Sequence, residues 1–413
     1  MSGSSRHAVE AVWRMESAHI VGTLARYTGD FTLAEDVAQE ALAAALVTWP
    51  RDGVPANPAG WLLTTARRRA IDAFRRRSAL DDRYAEIAHG TSEAIEEGDW
   101  DPDRIDDDVL ALMFISCHPA LSRESQVALT LRVLGGLTSD EIARSFLVPT
   151  ATVQARITRA KKTLAAAQVP FDVPPPEDRR ERLPSVLNVI YLIFTEGSTA
   201  SAGAALIRVD LAREAIRLAR MLARLVPDEP ETHGLLALLE LTAARFPARL
   251  DADGEPVLLE DQDRHRWDRS ALRRGRAALA MAGGVGRGLG SYGVQAAIAE
   301  CHAVAPSVAE TDWAKIVVLY DALGRLAPSP IVSLNHAVAV SMADGPAAAL
   351  PLVDALVADG SLASTHLLAT VRGELLSRMG RADEARSELT AALSLCRNDG
   401  ERRVLERKLA ALG

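Results

Sequence analysis

The residues of this sequence best suited to chemistry are two clusters of positive charge, and that chemistry is the recognition of phosphates and bases. Between Gly60 and Ser78 stand Arg67, Arg68, Arg69, Arg75, Arg76 and Arg77 against the single acid Asp72. Between Thr150 and Ala165 stand Arg156, Arg159, Lys161 and Lys162 with no acid at all. On a helix, the pairs Arg68–Arg69 and Arg75–Arg76 fall two turns apart and line one edge, where guanidinium groups can track a phosphate backbone. Gln154 and Arg156 carry the donor patterns that pair with adenine and guanine edges, whereas Arg159 and Lys161 suit phosphates. Residues 81–108 oppose both clusters, with twelve acids against Arg83 and Arg104. The net charge of −8 therefore averages two basic islands and an acidic bridge, and the distribution is the informative quantity.

Other candidate sites are weaker. Gly288, Gly290 and Gly293 have the spacing of a dinucleotide-binding loop, but they follow an Ala-rich helical run instead of a strand and read as a flexible turn. The Asp251–Glu255 stretch fails as a calcium loop, because its glycine comes early and no glutamate stands at the twelfth position. Asp261, Asp263, His265 and Asp268 gather around Trp267. The spacing favours a capped or salt-bridged knot over a metal site, and Asp261, Asp263, Trp267 and Asp268 are the expected interface of the C-terminal region. Cys117, Cys301 and Cys396 are scattered, which argues against disulfides and structural zinc. No cofactor or metal is expected.

The elements that must position these residues read as all-α. Ala, Leu and Arg dominate, and apolar residues recur at three and four. Thr32 and Glu35 have capping-box spacing, so a helix is expected to open at Thr32. Leu33, Val37, Ala41 and Ala44 would be its inner stripe, with Asp36, Gln39 and Glu40 beside it. Pro50 should end this helix, and a second helix should bury Leu63, Ala66, Ala70, Ala73 and Phe74. Further on, Gly135-Gly136 ends a helix and Thr138 with Glu141 opens another. Leu147-Val-Pro makes a turn, and Thr150 caps a last basic helix with Val153 and Ile157 inward. That is the outline of a helix-turn-helix.

The expected organisation is residues 1–80, an acidic linker at 81–109, the helix-turn-helix at 110–168, a proline-rich stiff linker at 169–184, a helical extension at 185–310, and helical repeats at 311–413. The repeat signal lies in Gly373, Gly380, Ala385, Leu389 and Ala392, echoed by Ala337, Gly345, Ala349, Val353 and Leu356. The shift from Ala337 to Gly373 is close to the tetratricopeptide length of about 34 residues. Residues 248–263 form the best hairpin-like segment. No apolar run is long enough to span a bilayer, so the chain reads as cytoplasmic.

The order and wording of these segments carry a resemblance. GDFTLAEDVAQEALAAAL followed by NPAGWLLTTARRRAIDAFRRR resembles region 2 of extracytoplasmic-function (ECF) sigma factors, and GLTSDEIA…TVQARITRAKKTL resembles their region 4. The resemblance implies a protein that binds RNA polymerase core and directs it to promoter DNA without catalysis of its own. Glu35, Asp36, Gln39 and Glu40 would dock on core. Trp49, Arg51, Asn57, Trp61, Arg67, Arg68, Arg69, Arg75 and Arg76 would serve the −10 element, Arg68 standing where the family has Asn. Thr150, Thr152, Gln154, Arg156, Arg159 and Lys161 would serve the −35 element. The family's linker runs through basic polymerase channels, where an acidic bridge is at home. ERLPSVLNVIYLIFTEGSTAS and EDQDRHRWDRSAL resemble the extension of an ECF group ending in tetratricopeptide-like repeats, whose partner would be its own sigma domains or another protein. A helix-turn-helix regulator with a repeat domain is the alternative, and it leaves the AEDVAQE helix unused. An enzyme is a third, but no nucleophile–base pair supports it.

Overall fold

The computed structural model describes residues 2–78, 102–146, 148–198, 208–252, 255–396 and 398–412. Among them there is no strand, and the chain divides into two compact units at Leu192/Ile193.

In the first unit α1 (Ser2–Thr28), α2 (Phe31–Asp52) and α3 (Pro58–Ser78) pack against one another. Their apolar faces supply Trp13, Ile20 and Leu24, then Phe31, Leu33, Val37 and Ala41, then Leu62, Leu63, Ala66 and Ala70, all buried. The start of α2 differs from expectation. Asp30 accepts from Leu33 N at 3.0 Å, so the cap lies two residues before Thr32. Pro50 does not end α2 either. It stands in the last turn, where its missing N–H costs one bond to the Leu46 carbonyl, and the helix closes at Gly53, whose φ is +89°.

The acidic bridge from 79 to 101 lies outside the described residues. Its end, expected to be linker, is already helical: α4 spans Pro102–Ser116 and packs on α1 and the next helix. There the buried carboxylate of Asp108 pairs with Arg26 at 3.3 Å. The helix-turn-helix follows as α5 (Arg123–Val133), α6 (Ser139–Phe146) and α7 (Thr150–Ala166).

The proline-rich stretch is also helical from Pro176 onward, in α8 (Pro176–Ser198), with Pro184 inside it. Pro176 sits in the first turn, where the N–H has no partner anyway, whereas Pro184 lies two turns in and forgoes a bond to the Arg180 carbonyl. The opening of α8 belongs to the first unit. Ser185 Oγ donates to Cys117 O at 2.9 Å, and Arg182 Nη2 donates to Phe114 O at 3.2 Å. Division of the chain into the expected segments thus differs at both linkers.

The second unit contains α9 (Val209–Leu225), α10 (Pro230–Ala243), α11 (Arg269–Gly284), α12 (Ser291–Val304), α13 (Trp313–Leu326), α14 (Pro330–Ala343), α15 (Pro346–Ala358), α16 (Leu367–Arg378), α17 (Ala382–Leu395) and α18 (Asp399–Ala410). Buried Glu240 of α10 ties its neighbours by pairing with Arg220 of α9 and with Arg274 of α11 at 3.0 Å. From α12 onward the core runs as successive clusters. Val294, Ile298, Ile316 and Leu323 form one; Leu334, Ala337, Ala349, Val353, Leu375 and Ala385 form the next. The glycines singled out by their period occupy matching places: Gly345 and Gly380 sit in the turns of α14–α15 and α16–α17 at φ +93° and +76°. Gly373 lets α16 approach Leu389 closely.

Between α10 and α11 runs a strap whose described residues include three single-turn 3-10 helices, Phe246–Ala248, Leu259–Asp261 and Arg264–Arg266. The expected hairpin is one antiparallel bridge, Leu250 to Pro256, with Val257 N bonded to Arg249 O at 2.9 Å. Arg403 of α18 holds Glu255 of this strap at 2.6 Å.

Candidate nucleic-acid interface

The basic edge of α3 forms because its apolar residues face α1 and α2, leaving the arginines outside. Arg68, Arg75 and Arg76 are exposed. Arg76 Nε donates to Asp72 O at 3.2 Å within the helix, and Arg69 and Arg67 reach the neighbouring helices. Arg69 pairs with Glu40 at 2.7 Å, and Arg67 lies over the Tyr27 ring at 5.8 Å. Exposed Arg51 stands in the last turn of α2, and exposed Asn57 closes the α2–α3 loop, capping α3 by accepting from Gly60 N at 2.9 Å. Trp49 is not part of this loop. It is 1% exposed within α2, and half-buried Trp61 meets it edge-on at 5.5 Å. The α2–α3 loop carries an apolar side chain that sequence reasoning missed, Val54, at 43% exposure. Its signal was an aliphatic residue between Gly53 and Pro55.

In the helix-turn-helix, Thr138 and Glu141 cap reciprocally. Thr138 N donates to Glu141 Oε2 at 2.8 Å, and Glu141 N to Thr138 Oγ1 at 3.2 Å. Thr150 does not cap α7; its hydroxyl donates to Asp140 at 2.7 Å instead. Val153, Ile157, Ala160 and Leu164 are buried, so Gln154 and Arg159 project to solvent, with Thr152 and Arg156 half-buried beside them.

The expected core-docking residues separate into two kinds. Asp36 and Glu40 are exposed and Gln39 is half-buried, but Glu35 is only 3% exposed. Its carboxylate accepts from Arg132 Nε of α5 at 3.2 Å and from Lys161 Nζ of α7, which also reaches Asp36 at 2.7 Å. Burial alone would lower the Lys161 ammonium, but Glu35 and Asp36 outweigh it and hold it above the ordinary lysine value. Lys161 therefore faces α2 in this arrangement. Arg14 of α1 pairs with Glu141 nearby, and Gly136 (φ +64°) fits against Ser17 and Arg14.

In the extension, Asp263 accepts from His265 N at 2.9 Å and Asp268 caps α11 through Ser270 N and Ala271 N. Trp267 is buried, with the guanidiniums of Arg264 and Arg245 at 4.7 Å and 5.6 Å from its ring, while Asp261 is exposed. The glycine-rich spacing is a helix start, not a loose turn. Glu231 lays its carboxylate on Tyr292 N at 2.8 Å and Gly293 N at 2.9 Å, filling the place an anion would take.

Comparison with known proteins matches three families. Sigma-70 region 2 matches residues 13–80, Sigma-70 region 4 matches 111–164, and a family of unknown function, DUF6596, matches 182–283. A protein of Rhizobium meliloti (strain 1021) described as uncharacterized is 44% identical over 92% of this chain and 90% of its own length. A protein of Mycobacterium tuberculosis described as probable ECF RNA polymerase sigma factor SigI is 26% identical over 43% of this chain and 61% of its own. No solved structure matches the chain. No described helix is long and apolar enough to cross a membrane.

Proposed function

The chain belongs to the sigma-70 family, as an RNA polymerase sigma factor of the ECF type with a DUF6596 extension, and from that premise we propose how its surfaces divide the work. Polymerase core and promoter DNA are the partners that the two sigma regions imply, and catalysis belongs to the polymerase. The α2 face of Glu35, Asp36, Gln39 and Glu40 docks on core. Arg51, Asn57, Arg68, Arg75 and Arg76 serve the −10 region, with Val54 and half-buried Trp61, backed by buried Trp49, offering an apolar surface for an unstacked base. Gln154, Arg156 and Arg159 read and hold the −35 element from the major groove. The observation that carries this reading is the pair of exposed basic helix faces, one in each sigma domain.

Lys161 then has two stations. In the free protein it neutralises Glu35 and Asp36; on the promoter it turns to phosphate. Docking through Glu35 requires Lys161 and Arg132 to release it, so region 4 shields the docking face until polymerase replaces it. The extension, with its tetratricopeptide-like helix pairs, regulates this exchange by binding the sigma domains or a protein partner in the cytoplasm. Transcription from purified, sigma-free core with start-site mapping tests the main reading. Promoter-specific starts are expected, and failure to bind core would overturn it. Unchanged promoter use in cells by a chain ending at Ser198 would overturn the regulatory part alone.

A further inference from the structure

Three helix ends converge near the C-terminus of the second unit. His366 is the residue before α16, Cys396 the residue after α17, and Glu401 lies in the first turn of α18. One ligand atom from each lies within 4.8 Å of both others, and His366 Nε2 stands 3.5 Å from Glu401 Oε2. Cys396 is buried, its Sγ donating weakly to Asn398 O at 3.5 Å, and His366 and Glu401 are half-buried. The same His366 and Glu401 line a cavity of about 310 Å³, together with Thr370, Gln262, Arg245 and Arg249.

We propose that His366, Cys396 and Glu401 bind a zinc-class divalent cation, with one coordination position open to this cavity. The donor chemistry selects the metal. A thiolate with an imidazole suits zinc or cobalt, whereas magnesium and calcium take oxygen donors. Metal–ligand bonds of about 2.0–2.3 Å place tetrahedral donors roughly 3.4 Å apart. The present separations, within 4.8 Å, exceed this by no more than about 1.4 Å. The charge also balances. On binding, the Cys396 thiol gives its proton to solvent, so thiolate and carboxylate together neutralise a dication beside neutral His366. A fourth ligand from the cavity, water or a small anion attracted by Arg245 and Arg249, completes the tetrahedron. The ion would pin the ends of α16, α17 and α18 together, making the fold of the last helices depend on metal. This inference is independent of the sigma-factor reading.

The test uses the full, tag-free chain, stripped with a chelator and titrated with Co²⁺. One cobalt per chain is expected, with a near-ultraviolet thiolate-to-metal charge-transfer band and tetrahedral visible bands, both abolished by excess Zn²⁺. The band should survive replacement of both Cys117 and Cys301 by serine and vanish in Cys396→Ser. His366→Gln should weaken cobalt binding at least about tenfold, as loss of a ligand does. Absence of the band in the wild-type chain overturns the proposal, as does its persistence in Cys396→Ser. Should Cys396→Ser lose its helical circular dichroism, His366→Gln decides: unchanged cobalt affinity overturns the site.

Discussion

Arg75 and Arg76 project from α3 into solvent, and Gln154 from α7, so the two faces can be probed without disturbing a core. Neutralising Arg75 and Arg76 should weaken open-complex formation on all promoters alike. The log–log salt slope should fall by roughly 0.9 for each duplex phosphate that the variant no longer neutralises. Replacing Gln154 should instead change which −35 sequences are used, at about 1–3 kcal/mol for each base edge it reads. Equal losses on every promoter from both changes, in transcription assays across a promoter panel, would contradict the division. Lys161 is the instructive residue. The sequence placed it on a DNA-reading helix and Glu35 on a docking helix, but nothing in either motif joins residues 126 positions apart. Lys161→Ala leaves Glu35 with Arg132 alone, and should cost about 2 kcal/mol, below the 3–5 kcal/mol of a fully orphaned buried charge. Urea unfolding measures the loss, and amide exchange should rise in α7 and at the start of α2.

At the scale of elements, helix identity was legible because apolar residues recur at helical spacing along nearly every segment, and the capping box at Thr138 behaved as read. Proline was where local rules failed. Pro50 and Pro184 lie inside helices because the burial of flanking turns, such as that of Trp49, offsets the about 3 kcal/mol that an interior proline costs. The metal candidate was illegible for a related reason. His366 is separated from Cys396 and Glu401 by two whole helices, α16 and α17, so the three form no ligand spacing to be seen until α16–α18 stack. Gly136 provides a test of close approach. A Cβ there would stand 2.8 Å from Ser17 Oγ at a positive φ, whereas Gly380 has a positive φ and open space. Gly380→Ala should cost about 1 kcal/mol, the conformational term alone. Gly136→Ala should cost at least about 2 kcal/mol and loosen the α5–α6 turn from α1; equal losses in thermal unfolding would argue against that close packing.

Across the whole molecule, the chain-averaged charge concealed the function and its distribution revealed it, since Arg-rich and acid-rich stretches cancel only in the sum. What the sequence could not display was how the second unit spends its buried charge. His302 is pushed down to about 4 by burial and by Arg245 and Arg264. The unfolded chain binds a proton near pH 6.5 that the folded unit refuses until about pH 4. Stability should therefore be full above pH 6.5 and decline as pH falls toward 4. At about 1.36 kcal/mol per pH unit, the loss reaches up to about 3 kcal/mol. His302→Phe should flatten that decline in denaturant titrations at pH 7, 6 and 5; an identical slope would remove His302 as its cause.

Because α8 begins among hydrogen bonds to Phe114 and Cys117 and continues past Leu192 into the second unit, one rod of backbone is common property of the promoter reader and its appendage. Such a shaft has an angular phase. Adding a single residue near Leu192 turns the side chains of α8 that follow it by about 100° around the helix axis, whereas adding seven nearly restores their original bearing. If the appendage governs initiation by way of this shaft, promoter output in cells should follow the rotation and recover with the seven-residue spacer; output blind to phase would mean that the two halves converse by some other route.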